Sequence, residues 1–507
     1  MNPGMVYLVG SGPGSRDLLT LRAVEILAIA DVVVYDKLAN LNFVPFVKSG
    51  VELIDVGKQS SMHTMAQGDI NLTLVELSRQ GKCVVRLKGG DPYVFGRGGE
   101  EAEVLVAHQI PFEVVSGVTS SIAVPAAAGI PVTHRDHCTS FHVITGHERA
   151  EREESALDFA TLARLDGTLV FMMGVRNLER ICMQLVAHGK SASTTVALVE
   201  RGCTSRQRQV IGTLENIVAI AKEAKIGAPA VTVVGSVVQL SRILHRIPIA
   251  KPLSGKRILV SRTRRQVGRL ASLLKAQGAD VLEIPLIRIE PIQSMELWDS
   301  IAQSLANANW LVFTSENGVE AFLESARIHG FDLRKLYAVR IVAVGSSTAS
   351  KLSEAGIIAD LVPPVYTAEA LVDCMGSQIH SGDRVVLARA KVATPIVVET
   401  LIAQGIHVDD FAIYETLPET TFHGILKDNL ESKDLDWLTF ASSSAVESFC
   451  EALGGTKVPD SIRIASIGPM TSATLQKNGL EVHAEATVHN LQGLVDAIQI
   501  FERGDRR

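Results

Sequence analysis

The sequence predicts an α/β protein of several domains built on largely parallel sheets. Three observations carry this. Short apolar runs of strand character alternate with segments of helical periodicity throughout the chain, as at Val6 to Val9, Val32 to Tyr35, Val84 to Leu87, Leu169 to Met173, Ile258 to Ser261 and Trp310 to Phe313. Glycine-rich turns follow several of these runs, where the backbone must pass from strand to helix. The second half of the chain also repeats itself. Lys256-Arg-Ile-Leu-Val-Ser-Arg262 recurs 127 positions later as Asp383-Arg-Val-Val-Leu-Ala-Arg389, and Trp310-Leu-Val-Phe-Thr-Ser recurs at the same offset as Trp437-Leu-Thr-Phe-Ala-Ser. Arg340 to Gly345 recurs at Arg463 to Gly468. Three matched segments in one order predict two similar parallel-sheet α/β lobes, with a ligand cleft between them.

At 507 residues the chain exceeds a single core, and about two to four domains are expected. Its 47% hydrophobic and 21% charged residues are those of a soluble globular protein. A net charge of -6 argues against general nucleic-acid binding, so an anionic substrate needs a locally basic site. Six cysteines are scattered without a Cys-x-x-Cys pair, which predicts reduced thiols, no metal site and a cytoplasmic protein. Gly10 to Gly14 follows the first residues at once, leaving no room for a secretory signal. Val114 to Thr133 carries no charge over 20 residues, but Gly117, Pro125, Gly129 and Pro131 interrupt it. It reads as buried loop and helix rather than a membrane span.

Taken in order, the first element is the strand Val6 to Val9, which runs into Gly10-Ser-Gly-Pro-Gly14 and then a helix over Leu18 to Ile29. A lone turn of this kind is weak evidence for a nucleotide, and Pro13 disrupts the dinucleotide fingerprint. The strand Val32 to Tyr35 ends at Asp36, which reads as a helix N-cap or as an acid/base group. Then comes Val85 to Glu101, with five glycines, three cations and Asp91. A loop of this kind lets backbone amides approach a ligand. Arg246 to Lys256 has two prolines, a Ser-Gly pair and no periodic apolar face, and marks a linker. The expected domains are therefore 1–245, a linker at 246–256, and the repeated lobes at 257–507.

Six motifs occur in order: Gly10 to Gly14, Val34-Tyr-Asp-Lys-Leu38, Val56-Gly-Lys58, Gly89-Gly-Asp-Pro92, Gly117-Val-Thr119 and Ala128 to Arg135. With Phe171-Met-Met-Gly174 they resemble the uroporphyrinogen-III C-methyltransferases of the tetrapyrrole methylase family over about residues 4 to 245. The resemblance implies a two-lobed fold, S-adenosylmethionine as methyl donor, and two successive methylations leading to precorrin-2. It implies a homodimer too. By motif, the cofactor shell would be Pro13, Gly89, Gly90, Asp91, Val94, Thr119, Ser120, Met173 and Gly202. Asp36 and Lys58 occupy the family's acid/base positions, Lys58 as proton donor or as carboxylate binder. The substrate carries carboxylates, for which Arg86, Lys88, Arg97, His134 and Arg135 are candidate partners. Ser116 and Ala127 stand where the family commonly has proline and tyrosine.

Beyond the linker, the paired lobes, Phe313 to Val319, Ala343-Val-Gly345, Tyr414-Glu-Thr416 and Ile467 to Thr471 resemble uroporphyrinogen-III synthase. This implies dehydration and cyclisation of hydroxymethylbilane, without a cofactor. Loss of hydroxide leaves a stabilised cation, so folding the substrate correctly matters more than a strong acid or base. Tyr414 stands at the family's tyrosine position, as a hydrogen-bond donor to departing hydroxide or as a core tyrosine. Thr314, Ser315, Ser442, Ser443 and Thr471 lie after strands as candidate carboxylate binders, and Arg262, Arg264 and Arg265 form the densest cationic cluster. Ala441 replaces a common threonine. The two reactions are consecutive, so a bifunctional enzyme is the expectation. Two alternatives stay open: a non-catalytic tetrapyrrole-binding C-terminal module, and a nucleotide-dependent oxidoreductase using Gly10 to Gly14.

Overall fold

A computed structural model describes residues 3–36, 39, 41–57, 65–146, 157–244, 251–261, 264–363, 371, 374–393, 395–432 and 434–504. The N-terminal half forms two sheets. The first contains β1 (Val6–Gly10), β2 (Val32–Tyr35), β3 (Glu52–Asp55), β4 (Val84–Lys88) and β5 (Phe112–Val115), in the order β3-β2-β4-β1-β5 and parallel throughout. Its central strands β2 and β4 are buried along their whole length, as helices on both faces of a parallel sheet require. The helix Leu21–Ile29 starts where Thr20 accepts a hydrogen bond from the Ala23 amide.

The second sheet holds β6 (Phe141–Thr145), β7 (Thr168–Met172), β8 (Thr195–Glu200), β9 (Arg208–Thr213) and β10 (Ala230–Val234), in the order β6-β7-β10-β8-β9. Only β6 and β7 run parallel. The connection from β8 to β9 is too short for a helical crossover, so those strands pair antiparallel. Between the sheets in sequence lies the helix Ser120–Ala127, whose Val124 packs with Val170, Val199 and Val231 of the second sheet. It lies within the uncharged stretch Val114 to Thr133, read from the sequence as buried loop and helix. No helix among the described residues is long and apolar enough to cross a membrane.

Ten further strands follow: β11 (Arg257–Val260), β12 (Asp280–Glu283), β13 (Ile287–Pro291), β14 (Trp310–Phe313), β15 (Arg340–Ala343), β16 (Arg384–Ala390), β17 (His407–Pro418), β18 (Trp437–Phe440), β19 (Arg463–Ser466) and β20 (Ala484–Glu485). They make two sheets, β12-β11-β18-β19-β20 and β13-β17-β16-β14-β15. All pairings are parallel except that of β13 with β17. The sequence repeat equates β11 with β16, β14 with β18 and β15 with β19. Neither copy builds a sheet by itself. The first copy gives β11 and β12 to one sheet and β14 and β15 to the other, and the second copy completes each of them.

The chain accordingly divides into two compact units, Met1–Leu286 with Thr420–Arg507, and Ile287–Glu419. The cut falls inside the repeat and not at the predicted linker, of which 246–250 lie outside the described residues. In the larger unit one apolar core runs from the first sheet into the β11 sheet. Ala39, Phe43, Val44 and Val47 belong to the same cluster as Leu282, Ile284, Leu286, Phe422 and Ile425. The 3₁₀ segment Leu41–Phe46 packs on β12. Arg16 pairs with the buried Glu283 at 2.5 Å and lies over the Phe46 ring. Burial first, then the carboxylates of Asp55 and Asp428, push the Tyr35 hydroxyl well above its ordinary pKa.

Candidate active sites

The first candidate site lies where β1, β4 and β5 end. Gly10, Gly90 and Gly117 meet there backbone to backbone. A Cβ on Gly117 would stand 2.2 Å from the Gly90 carbonyl oxygen, and one on Gly10 would stand 2.5 Å from it. Gly12 and Gly90 exchange two hydrogen bonds, at 2.9 and 3.2 Å. Gly90 holds φ +69°, a region glycine enters without strain. Asp91 ties the loops together. Its Oδ1 accepts from the Tyr93 amide at 2.8 Å and its Oδ2 from the Gly117 amide at 3.0 Å. Thr119 caps the helix beginning at Ser120, accepting from the Ser121 amide.

Some of the other predicted cofactor residues are packed closely against neighbouring segments. A Cβ on Gly14, next to Pro13, would meet Thr204 at 2.9 Å, and one on Gly202 would meet Val124 of the Thr119-capped helix at 2.3 Å. Val94 closes a turn back to Asp91. Met173 follows β7 with φ +56° and is 48% exposed, a half-free apolar side chain. Phe95 and Arg97 also adopt positive φ without being glycine. Such strain concentrates at ligand-holding loops. Gly117→Ala is expected to cut S-adenosylhomocysteine affinity by roughly 10- to 100-fold, since forcing a methyl into close packing costs about 1–3 kcal/mol. Titration calorimetry checks this.

Asp36 stands at the end of β2. Its Oδ1 accepts from the Ala39 amide at 3.2 Å, the bond of a capping residue, while its Oδ2 accepts from Arg86 Nη2 at 3.0 Å. The bond to Ala39 is the contact expected of a capping residue, and the Arg86 pair fixes the other carboxylate oxygen. Lys58 lies outside the described residues.

Arg86 and Lys88, expected as partners of substrate carboxylates, are placed differently. Each is 3% exposed, with its charge turned inward. They lie on β4 of a sheet covered on both faces, and Glu101 receives Arg86 Nε at 3.0 Å and Lys88 Nζ at 2.7 Å. Burial, then Arg86 beside it, pull the Lys88 ammonium below its ordinary pKa. Glu101 escaped the sequence reading, as did Gln67, which donates to it at 3.1 Å. A signal existed: Gly98, Glu101, Ala102 and Leu105 form the buried stripe of one helix, with a lone acid in it. Arg97 is half exposed and holds Glu100 at 2.7 Å, and His134 and Arg135 lie towards the surface, so these three side chains remain accessible.

The second candidate site is read within each compact unit. In the smaller unit, Thr314 and Ser315 follow β14. Ser315 caps the helix Glu316–Ile328, accepting from the Gly318 amide at 3.1 Å, and its Oγ lies 2.9 Å from the Tyr414 hydroxyl. Tyr414 on β17 is 5% exposed. Burial raises its pKa, countered by hydrogen bonds with Ser315 and Asn317. The tyrosine is therefore both a core residue and one whose hydroxyl is oriented.

In the larger unit the repeat places the same device. Ser442 caps the helix Ser443–Leu453 through the Ala445 amide at 3.2 Å. Each capping serine stands at a helix N-terminus, where backbone amides and the helix dipole suit a carboxylate. Ser443 bonds the Met470 carbonyl and Thr474. Thr471, expected to bind substrate, is 4% exposed because it faces inward on the helix Pro469–Lys477. Arg262 and the side chains of Arg264 and Arg265 lie outside the described residues. Among the described residues no cluster of His, Cys, Asp and Glu suits a metal ion.

Comparison with known proteins gives a match for each half. Residues 5–218 match the family described as Tetrapyrrole (Corrin/Porphyrin) Methylases, and residues 268–496 match Uroporphyrinogen-III synthase HemD. Over 498 residues the chain is 36% identical to the Porphyrin biosynthesis protein HemD of Ruminiclostridium josui, covering 98% of both chains. It is 56% identical over 243 residues to the S-adenosyl-L-methionine-dependent uroporphyrinogen III methyltransferase of Methanosarcina barkeri, covering 48% of this chain and 95% of that one. A third relative, the Uroporphyrinogen-III C-methyltransferase of Bacillus subtilis, is 41% identical over 364 residues, with 72% of this chain and 74% of that one covered.

Proposed function

Because this chain belongs to the family that joins a tetrapyrrole methylase to a uroporphyrinogen-III synthase, we propose that its C-terminal half makes uroporphyrinogen III and its N-terminal half methylates that product twice, giving precorrin-2. The observation that carries the methylating half is the cradle of Gly10, Gly90 and Gly117 tied by Asp91. Backbone groups open at such a cradle suit the polar end of S-adenosylmethionine, and Met173 suits its adenine face. When bound, that cofactor supplies an electrophilic methyl group.

The residues of the chain do the rest. Asp36 accepts the proton that the macrocycle loses once a ring carbon has gained its methyl. Arg97, His134 and Arg135 meet substrate carboxylates from the surface side. The proposed Lys58 role is proton donation or carboxylate binding. In the C-terminal half the Tyr414 hydroxyl hydrogen-bonds hydroxide as it leaves hydroxymethylbilane. The helix ends capped by Ser315 and Ser442, with Thr314, bind the side-chain carboxylates of the linear substrate. That half needs no cofactor, and the enzyme acts as a homodimer in the cytoplasm.

The test gives the full chain freshly made hydroxymethylbilane, with and without S-adenosylmethionine. Type III isomer is expected without the cofactor, and a doubly methylated product with it. Type I isomer alone, as in the spontaneous reaction, rules out the synthase. Tyr414→Phe is expected to slow cyclisation by a factor on the order of 10, the worth of one hydrogen bond of ~1 kcal/mol. Ser315 keeps its Gly318 partner, so the fold should persist. A stopped assay of isomer ratio reads the effect as a rising share of type I.

A further inference from the structure

The buried cluster beneath Asp36 has a direction. Four charges lie in a chain: Lys88 and Arg86 both on Glu101, and Arg86 again on Asp36. Glu101 is fully buried and Arg86 and Lys88 nearly so, while the Asp36 side chain is 28% exposed. Every Glu101 contact falls on Oε1, which takes Arg86 Nε, Lys88 Nζ and Gln67 Nε2. Its Oε2 is buried without a hydrogen-bond partner among the described residues. Such an arrangement is a poor way to gain stability, because burying charges costs several kcal/mol per ion before pairing offsets it. An apolar cluster on β4 would serve the fold at least as well.

What the cluster does supply is geometry. The Arg86 guanidinium is planar and is fixed on three sides. Nε bonds Glu101, Nη1 donates to the Leu87 carbonyl at 3.0 Å and more weakly to Val34, and Nη2 is left pointing at Asp36. With that plane locked, the Asp36 carboxylate has one orientation in which Oδ2 meets Nη2 and Oδ1 meets the Ala39 amide. We propose that Arg86 is a positioning residue for methyl transfer, anchored by Glu101, which sets the Asp36 carboxylate at the angle the departing proton requires. The inference rests on Asp36 being the base.

Arg86→Lys separates the two roles of the site. An ammonium keeps the buried charge but cannot reach Glu101 and Asp36 together. The expected result is a methylation kcat lowered roughly 10- to 100-fold, the scale on which misplacing a catalytic group acts. S-adenosylhomocysteine affinity, substrate KM and cyclisation in the same sample stay near wild type. A kcat within twofold of wild type overturns the inference, as does a loss fully accounted for by a smaller folded fraction. Should R86K not accumulate, Glu101→Asp carries the same test. Shortening the anchor by one methylene draws Arg86 away from Asp36, and a wild-type kcat in folded E101D overturns the proposal. The base assignment fails separately, if Asp36→Asn retains methylation.

Discussion

Asp36→Ala is expected to abolish methylation and leave cyclisation at the wild-type rate. Removing a general base costs typically 10²- to 10⁴-fold, and the described residue paired with it, Arg86, is a cation that does not replace it. Alanine also leaves Arg86 without one of its two carboxylates, so some stability is lost as well. Asp36→Asn isolates the chemistry, because an amide keeps the shape and the Ala39 hydrogen bond but cannot take the proton. Both variants are read by the mass of the product formed from hydroxymethylbilane and S-adenosylmethionine. Type III uroporphyrinogen without added methyl groups is the expected product. Equal loss of both activities means that the two sites are not independent.

Phe43→Ala has the largest expected effect on stability. Phe43 is fully buried and its ring lies 5.4 Å from that of Tyr35. Emptying such a site costs about 3–5 kcal/mol. It sits in the core that runs on through Leu286 and Phe422, so the loss is expected in both halves at once. In urea, methylation and cyclisation should disappear at a common, lowered midpoint. A lowered midpoint for methylation alone would show that the β11 sheet stands by itself.

Much of this molecule is legible in its sequence, and unevenly so. Runs such as Val32 to Tyr35 and Trp437 to Phe440 announce buried strands because nearly every residue is apolar and most are β-branched or aromatic. Glycines 10, 90 and 117 announce a site because their spacing matches one family, and only the structure adds that a Cβ at any of the first and last would strike Gly90. Arg86 and Lys88 misled for a physical reason: a cation on a strand reads as a surface charge unless its buried partner is known, and Glu101 is on another element. Thr471 misled similarly, since a hydroxyl after a glycine gives no sign of facing inward. The repeat showed two lobes plainly. It could not show that the copies exchange strands, because pairing is a property of space and not of similarity.

That exchange governs the order in which the protein becomes itself as it is synthesised. The sheet of β11 lacks β18, β19 and β20 until residues 437 to 485 exist, and residues 287–419 must be made first. At roughly 5–20 residues per second, the gap lasts on the order of ten seconds. Throughout it, Leu282, Ile284 and Leu286 await Phe422 and Ile425, and Phe43 and Val44 rest on a core only partly formed. The nascent N-terminal half therefore emerges with a sticky face, which residues from Thr420 onward later cover.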